Sequence, residues 1–166
     1  MKILTMPMKR IDSFKIDHRK LPRGLYISRT VDFSGLVVTM YDIRTCRPYV
    51  DPTLSAAAIH TIEHLGATYL RTISALADFV VYFGPMGCQT GFYLVLCGNV
   101  ARQNVLAVLR DMFRFISRFE GEIPGATEIE CGNCHLNDLA EAREAAGKYY
   151  LDLLSIPEDS PLKYPD

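Results

Sequence analysis

Apolar positions fall in two rhythms along the chain. Runs rich in β-branched and aromatic residues, bounded by turn residues, predict strands over Gly24–Val31, Leu36–Arg44, Phe79–Phe83 and Phe92–Leu96. The last two flank a Gly-Pro turn region and read as antiparallel neighbours. Steps of three and four predict helices. One runs from Leu54 to about Leu76, with Ile59, Ile62, Tyr69, Ile73 and Leu76 near helical spacing. A second spans Arg102–Phe119, with Val105, Leu109, Met112, Phe113 and Ile116 on its apolar stripe and Gly121 as a stop. A third covers Asp138–Leu154, with Asn137 as the expected N-cap. Strands first, then helices mixed with a hairpin, predict an α+β domain: an antiparallel sheet with helices on one face. No repeat or Pro/Gly/Ser-rich linker interrupts it, so residues 1–156 read as one domain. Pro157–Asp166, with its prolines and charges, reads as a loose tail.

Composition agrees with a single globular unit. At 166 residues, 49% apolar and 22% charged, the chain is long enough to bury about two-thirds of the surface its unfolded form exposes. Disorder is excluded on the same grounds. No apolar run approaches the roughly 18 residues of a membrane span, and Met1–Pro7 lacks the sustained apolar stretch of a secretory signal. A net charge of −1 is not the footprint of a nucleic-acid binder. The charge is uneven, however: basic residues from Lys2 to Arg29 far outnumber Asp12 and Asp17. That pattern fits a solvated basic face, or a segment that meets a partner or an anionic group. Five cysteines, an odd number without scaffold spacing, point to a reducing compartment, and the cytoplasm is expected.

Three segments carry candidate chemistry. In His60-Thr61-Ile62-Glu63-His64 the two imidazoles lie one helical turn apart and can converge on one ion, with Glu63 beside them as a candidate base. Such a site lacks a third ligand, and Cys131, Cys134, His135, Glu128 and Glu130 are all candidates. The Cys131-x-x-Cys134 spacing has no second pair to make a zinc ribbon and no βαβ setting for a thioredoxin-like role, so a single thiolate completing a His-His site is the better account. Cys88 lies in Gly84-Pro85-Met86-Gly87-Cys88-Gln89-Thr90-Gly91, a tight turn that can present a thiol unobstructed. In Asp42-Ile43-Arg44-Thr45-Cys46-Arg47-Pro48, Arg44 or Arg47 could depress a thiol pKa or hold an anionic oxygen. An inverted H-x-x-E-H zinc metallopeptidase is the alternative enzyme reading, with Glu63 activating water. A metal-stabilised structural module is the non-enzyme one.

Taken in order, these pieces resemble the S-ribosylhomocysteine lyase (autoinducer-2 production) family. The resemblance runs from about Ile11 to Leu154. It is carried by Ser13-Phe14 with Asp17-His18, Asp42-Ile43-Arg44 with Cys46 and Pro48, the His60–Leu65 motif, Pro85–Gly91, and Cys131-Gly132. It implies a divalent ion, Fe²⁺ with Zn²⁺ or Co²⁺ able to substitute, on His60, His64 and Cys131. It implies Cys88 and Glu63 as the acid/base pair, Arg44 as the active-site arginine, and Ser13, His18 and Arg71 as substrate contacts. It also implies a homodimer with its sites at the subunit interface, the N-terminal segment of one subunit serving the other, and no nucleic acid or membrane partner. Two positions depart from the pattern: Tyr82 stands where the family often has an acidic substrate contact, and Asn137 where histidine is frequent.

Overall fold

The computed structural model describes residues 9–11 and 14–165. Four strands, β1 (Gly24–Phe33), β2 (Leu36–Arg44), β3 (Val80–Pro85) and β4 (Gly91–Cys97), form one antiparallel sheet in the order β1-β2-β4-β3. Three helices complete the domain: α1 (Ala56–Thr72), α2 (Arg102–Ser117) and α3 (Leu139–Leu154). Alternation decides which face of the sheet they cover. Tyr41 and Ile43 of β2 stand opposite Leu94 and Phe92 of β4, and all four are buried with Leu65 of α1, Leu109 and Met112 of α2 and Tyr149 of α3 in one core. Val38, Met40, Val95 and Cys97 alternate to the other face and stay only partly covered.

α2 owes its place to its stripe. Val105, Leu109, Met112, Phe113 and Ile116 are all buried at 0% exposure, and a stripe this wide drives helix docking through burial of roughly 1.5–3 kcal/mol per large apolar side chain. α1 starts at Ser55, whose hydroxyl accepts from Ala58 N and donates to Glu141 of α3. It is shorter than its apolar rhythm. Thr72 and Ser74 return their hydroxyls to the carbonyls of Thr68 and Leu70, offering the backbone a local alternative near the helix end.

Two expectations are corrected. Asp138, not Asn137, caps α3: it is extended, and its carboxylate accepts from Glu141 N at 2.8 Å. Asn137 is held elsewhere, accepting from the buried Thr61 hydroxyl of α1 and donating to Cys134 O. Nor is the C-terminal stretch loose. Leu162 is 3% exposed, its carbonyl accepts from Ile27 N on the edge of β1, and Tyr164 stacks on Tyr26 at 4.9 Å. Prolines limit regular structure there, but one leucine and one tyrosine are enough to dock the segment.

The β2–β4 contact has one point without slack. A Cβ at Gly91 would collide with the carbonyl oxygen of Ile43 on the paired strand. Gly91→Ala is expected to lower stability by about 3 kcal/mol, because backbone rather than a flexible side chain must yield. A urea unfolding midpoint equal to that of the parent protein contradicts this.

Candidate metal centre and thiol pocket

His60 and His64 stand one turn apart on α1 and meet edge to face, ring centroids 4.5 Å apart. Their Nε2 atoms approach to 3.0 Å, and Cys131 Sγ lies 3.4 Å from His60 Nε2. All three ligand atoms fall within 4.8 Å of one another. The outer ring nitrogens are occupied: His60 Nδ1 faces Leu136 O at 2.7 Å and His64 Nδ1 faces Pro124 O at 2.8 Å. A carbonyl can only accept, so each Nδ1 carries the proton and each Nε2 lone pair points into the triad. Two lone pairs and a sulfur converging this closely repel one another unless a cation lies among them. The donor set therefore fits a divalent ion held by three protein ligands, with the histidines oriented by backbone carbonyls as metal-binding histidines usually are.

The segment between α2 and α3 supplies the rest. Asn133 N donates to Cys131 Sγ at 3.4 Å, and Cys131 N is turned back onto Thr127 O. Gly125 lets the chain pass the ring of His64; even a Cβ there would sit 3.3 Å from Nδ1. Among the described residues, Cys131 joins the triad and Cys134 does not. His135 instead lies 3.8 Å from Glu128, both largely in solvent. Glu63 lines the same cleft, of about 420 Å³, as His60, His64 and Cys131.

A second cavity, about 370 Å³, is lined by His18, Arg44, Tyr49, Asp51, Cys88 and Thr90. The turn between β3 and β4 closes with Met86 N on Gly91 O and Gln89 N on Met86 O, and leaves Cys88 exposed at its tip. Cys88 Sγ lies 3.1 Å from the Thr90 hydroxyl and 3.8 Å from Arg44 Nη1. Arg44, at the end of β2, is 3% exposed and pairs with Asp42 at 2.6 Å. Partial burial alone would raise the Cys88 thiol pKa. Hydrogen bonds from the Thr90 hydroxyl and backbone N–H, together with the Arg44 charge, outweigh it and bring the pKa below that of a free cysteine.

Within one chain, then, the expected residues form two groups. His60, His64, Cys131 and Glu63 share one cleft, while Cys88, Arg44 and His18 share another. Arg71 is exposed in the last turn of α1, one turn beyond Ala67 and Thr68 at the edge of the triad cleft. Ser13 lies outside the described residues. Tyr82 is 45% exposed on β3. The sequence pattern does not by itself point to Thr90 and Asp42 as the partners of Cys88 and Arg44. Asp42 could have been found, because residues two apart on a strand share a face and an Asp-x-Arg pair there can join.

The family model described as S-Ribosylhomocysteinase (LuxS) matches residues 11–159. The S-ribosylhomocysteine lyase of Desulfotalea psychrophila is 47% identical, covering 95% of this chain and 99% of that protein. That of Porphyromonas gingivalis is 45% identical over 96% of this chain and 100% of its own length. The Clostridium acetobutylicum lyase is 44% identical with the same two coverages. With the match spanning both cavities, from His18 and Arg44 through Cys88 to Cys131, the chain belongs to the S-ribosylhomocysteinase (LuxS) family.

Proposed function

We propose that the protein is a metal-dependent lyase that cleaves the thioether of S-ribosylhomocysteine to homocysteine and 4,5-dihydroxy-2,3-pentanedione, the precursor of autoinducer-2. The converged His60–His64–Cys131 triad, within a family of proteins named for this reaction, carries the proposal. Substrate and products balance without water or any co-reactant, so the chain has only protons to move.

The thioether cannot leave from the starting sugar, because no acidic C–H adjoins the carbon that bears sulfur. Moving the carbonyl from C1 to C3 makes the C4 proton acidic, and its removal expels homocysteine thiolate. His60, His64 and Cys131 would hold Fe²⁺, or Zn²⁺ or Co²⁺ in its place, and an ion bound there would supply Lewis-acid polarisation of the sugar oxygens. Cys88, its thiol made more acidic by Thr90 and Arg44, takes and returns the carbon-bound protons. Glu63 carries protons between sugar oxygens. His18, Ser13 and Arg71 bind the substrate.

The reading requires a second subunit. The metal triad and Cys88 line different cavities of one chain. Val38, Met40, Asp42 and Arg44 follow one another at alternate positions of β2, so the Cys88 pocket opens at the end of the sheet face the helices leave uncovered. That face is apolar, with Phe33 63%, Leu36 54% and Tyr82 45% exposed. A homodimer packed through it sets one subunit's thiol pocket against its partner's triad, with small-molecule substrate between them. The setting is cytoplasmic, where thiols stay reduced, and no helix among the described residues is long and apolar enough to cross a membrane.

The test is direct. Anaerobically prepared, metal-loaded protein is mixed with S-ribosylhomocysteine and the released thiol is titrated. Stoichiometric, catalytic thiol release is expected; none above the metal-free control overturns the assignment. A peptide screen under the same conditions is expected to show no hydrolysis, in contrast to a zinc peptidase.

A further inference from the structure

Asp42 and Arg44 form a buried ion pair at 1% and 3% exposure, yet each keeps a buried atom, Asp42 Oδ1 and Arg44 Nε, without a hydrogen-bond partner among the described residues. All the contacts that hold the carboxylate therefore converge on Oδ2. Arg44 Nη2 donates to it at 2.6 Å, and the Tyr164 hydroxyl donates to it at 2.9 Å. Tyr164 belongs to the docked C-terminal segment and lies beyond Asp159, the last residue of the family match. Its ring is clamped on Tyr26, and the Leu162 carbonyl anchors the segment to β1. From Asp42 the network continues through Arg44 Nη1 to the Thr90 hydroxyl and to Cys88 Sγ.

We propose that Tyr164 is a positioning residue for Cys88: by donating to Asp42 it fixes the Asp42–Arg44 pair, so that the guanidinium stays aimed at the thiol. Two physical effects act in the same direction. The tyrosine bond withdraws charge from the carboxylate, so Asp42 neutralises less of Arg44 and more of its field reaches Cys88. The docked ring also covers the buried pair, and water admitted there would compete with both contacts of the guanidinium. Tyr164 remains a donor, since burial first and the Asp42 charge second raise its pKa. The groups that face Cys88 are otherwise His18 from the N-terminal segment, Tyr49 and Asp51 from the chain between β2 and α1, and Tyr93 from β4. Tyr164 touches none of them in this network, so Arg44 is the route by which it acts.

The consequence has a definite sign. A thiolate that loses part of its cationic partner becomes more basic, so less of it is present at a given pH. In zinc-loaded protein, the pH midpoint for iodoacetamide alkylation of Cys88, followed on its own peptide by mass spectrometry, is expected to rise in Tyr164→Phe. A rise of half a pH unit gives about threefold slower alkylation below the midpoint. The phenylalanine keeps the ring stack, so the melting temperature serves as the control. Truncation after Asp159 is expected to shift the midpoint at least as far. An unchanged midpoint in Tyr164→Phe overturns the proposal, whether the melting temperature falls or the truncated chain shifts alone; either pattern assigns the segment a covering role only. The link to turnover rests on Cys88 as the proton carrier proposed above, whereas alkylation does not. A midpoint shift without thiol release from S-ribosylhomocysteine therefore counts against that function and not against Tyr164.

Discussion

Cys88→Ala is expected to lower homocysteine release by at least about 10²–10⁴-fold, the span a positioned acid/base group contributes, while metal content stays that of the parent protein. The separation of the two readouts follows from geometry. Cys88 lines the cavity with Arg44 and His18, not the cleft with His60, His64 and Cys131, so its removal leaves all three ligand atoms in place. It is exposed at a turn tip and contributes nothing to the core, so the fold should not suffer. Serine is expected to rescue little. Its hydroxyl fits the same hydrogen bonds to Thr90 and Arg44, but it does not ionise near neutral pH. A variant that releases thiol at close to the parent rate removes Cys88 from the mechanism, and one that loses its metal shows that the two cavities are not independent.

His64→Ala produces the opposite pattern. One of three converging donors is lost, and the remaining pair, His60 Nε2 and Cys131 Sγ, cannot enclose an ion. Affinity for Zn²⁺ is expected to fall by more than about 100-fold, the upper end of what losing a mere supporting partner costs. Activity should disappear with it at ordinary metal concentrations. Metal analysis after dialysis against a competing chelator measures the first, and thiol release the second. If the variant retains its metal through dialysis, the triad is not the binding site.

The elements were legible because each has one dominant pattern. Buried Phe92, Leu94 and Leu96 alternate on β4, and α2 carries an uninterrupted stripe, so local periodicity and tertiary burial agree. The two-histidine pattern was legible for a similar reason: i and i+4 on a helix leaves little choice of geometry. The third ligand was not legible from the residues alone; only the family resemblance pointed to Cys131. Cys131 and Cys134 are chemically equivalent on paper, and only the path of the chain past His64, opened by Gly125 and pinned through Pro124 O, separates them. The docking of the C-terminal segment is not legible in the sequence, because prolines signal the absence of helix and strand, not the absence of packing. A single Leu162 side chain finding a cavity is invisible to periodicity. The division of the candidate residues between two cavities was likewise beyond any local rule, since it depends on which face of β2 Arg44 occupies relative to α1.

The two histidine rings are oriented by main-chain oxygens, those of Pro124 and Leu136, and Cys131 by the main-chain N–H of Asn133. Every residue type has such a carbonyl, and every type but proline such an N–H. Side chains along the connecting segment can therefore drift over generations with little effect on the imidazoles, provided the path of the backbone is kept. Insertions and deletions there are the changes such a centre tolerates least.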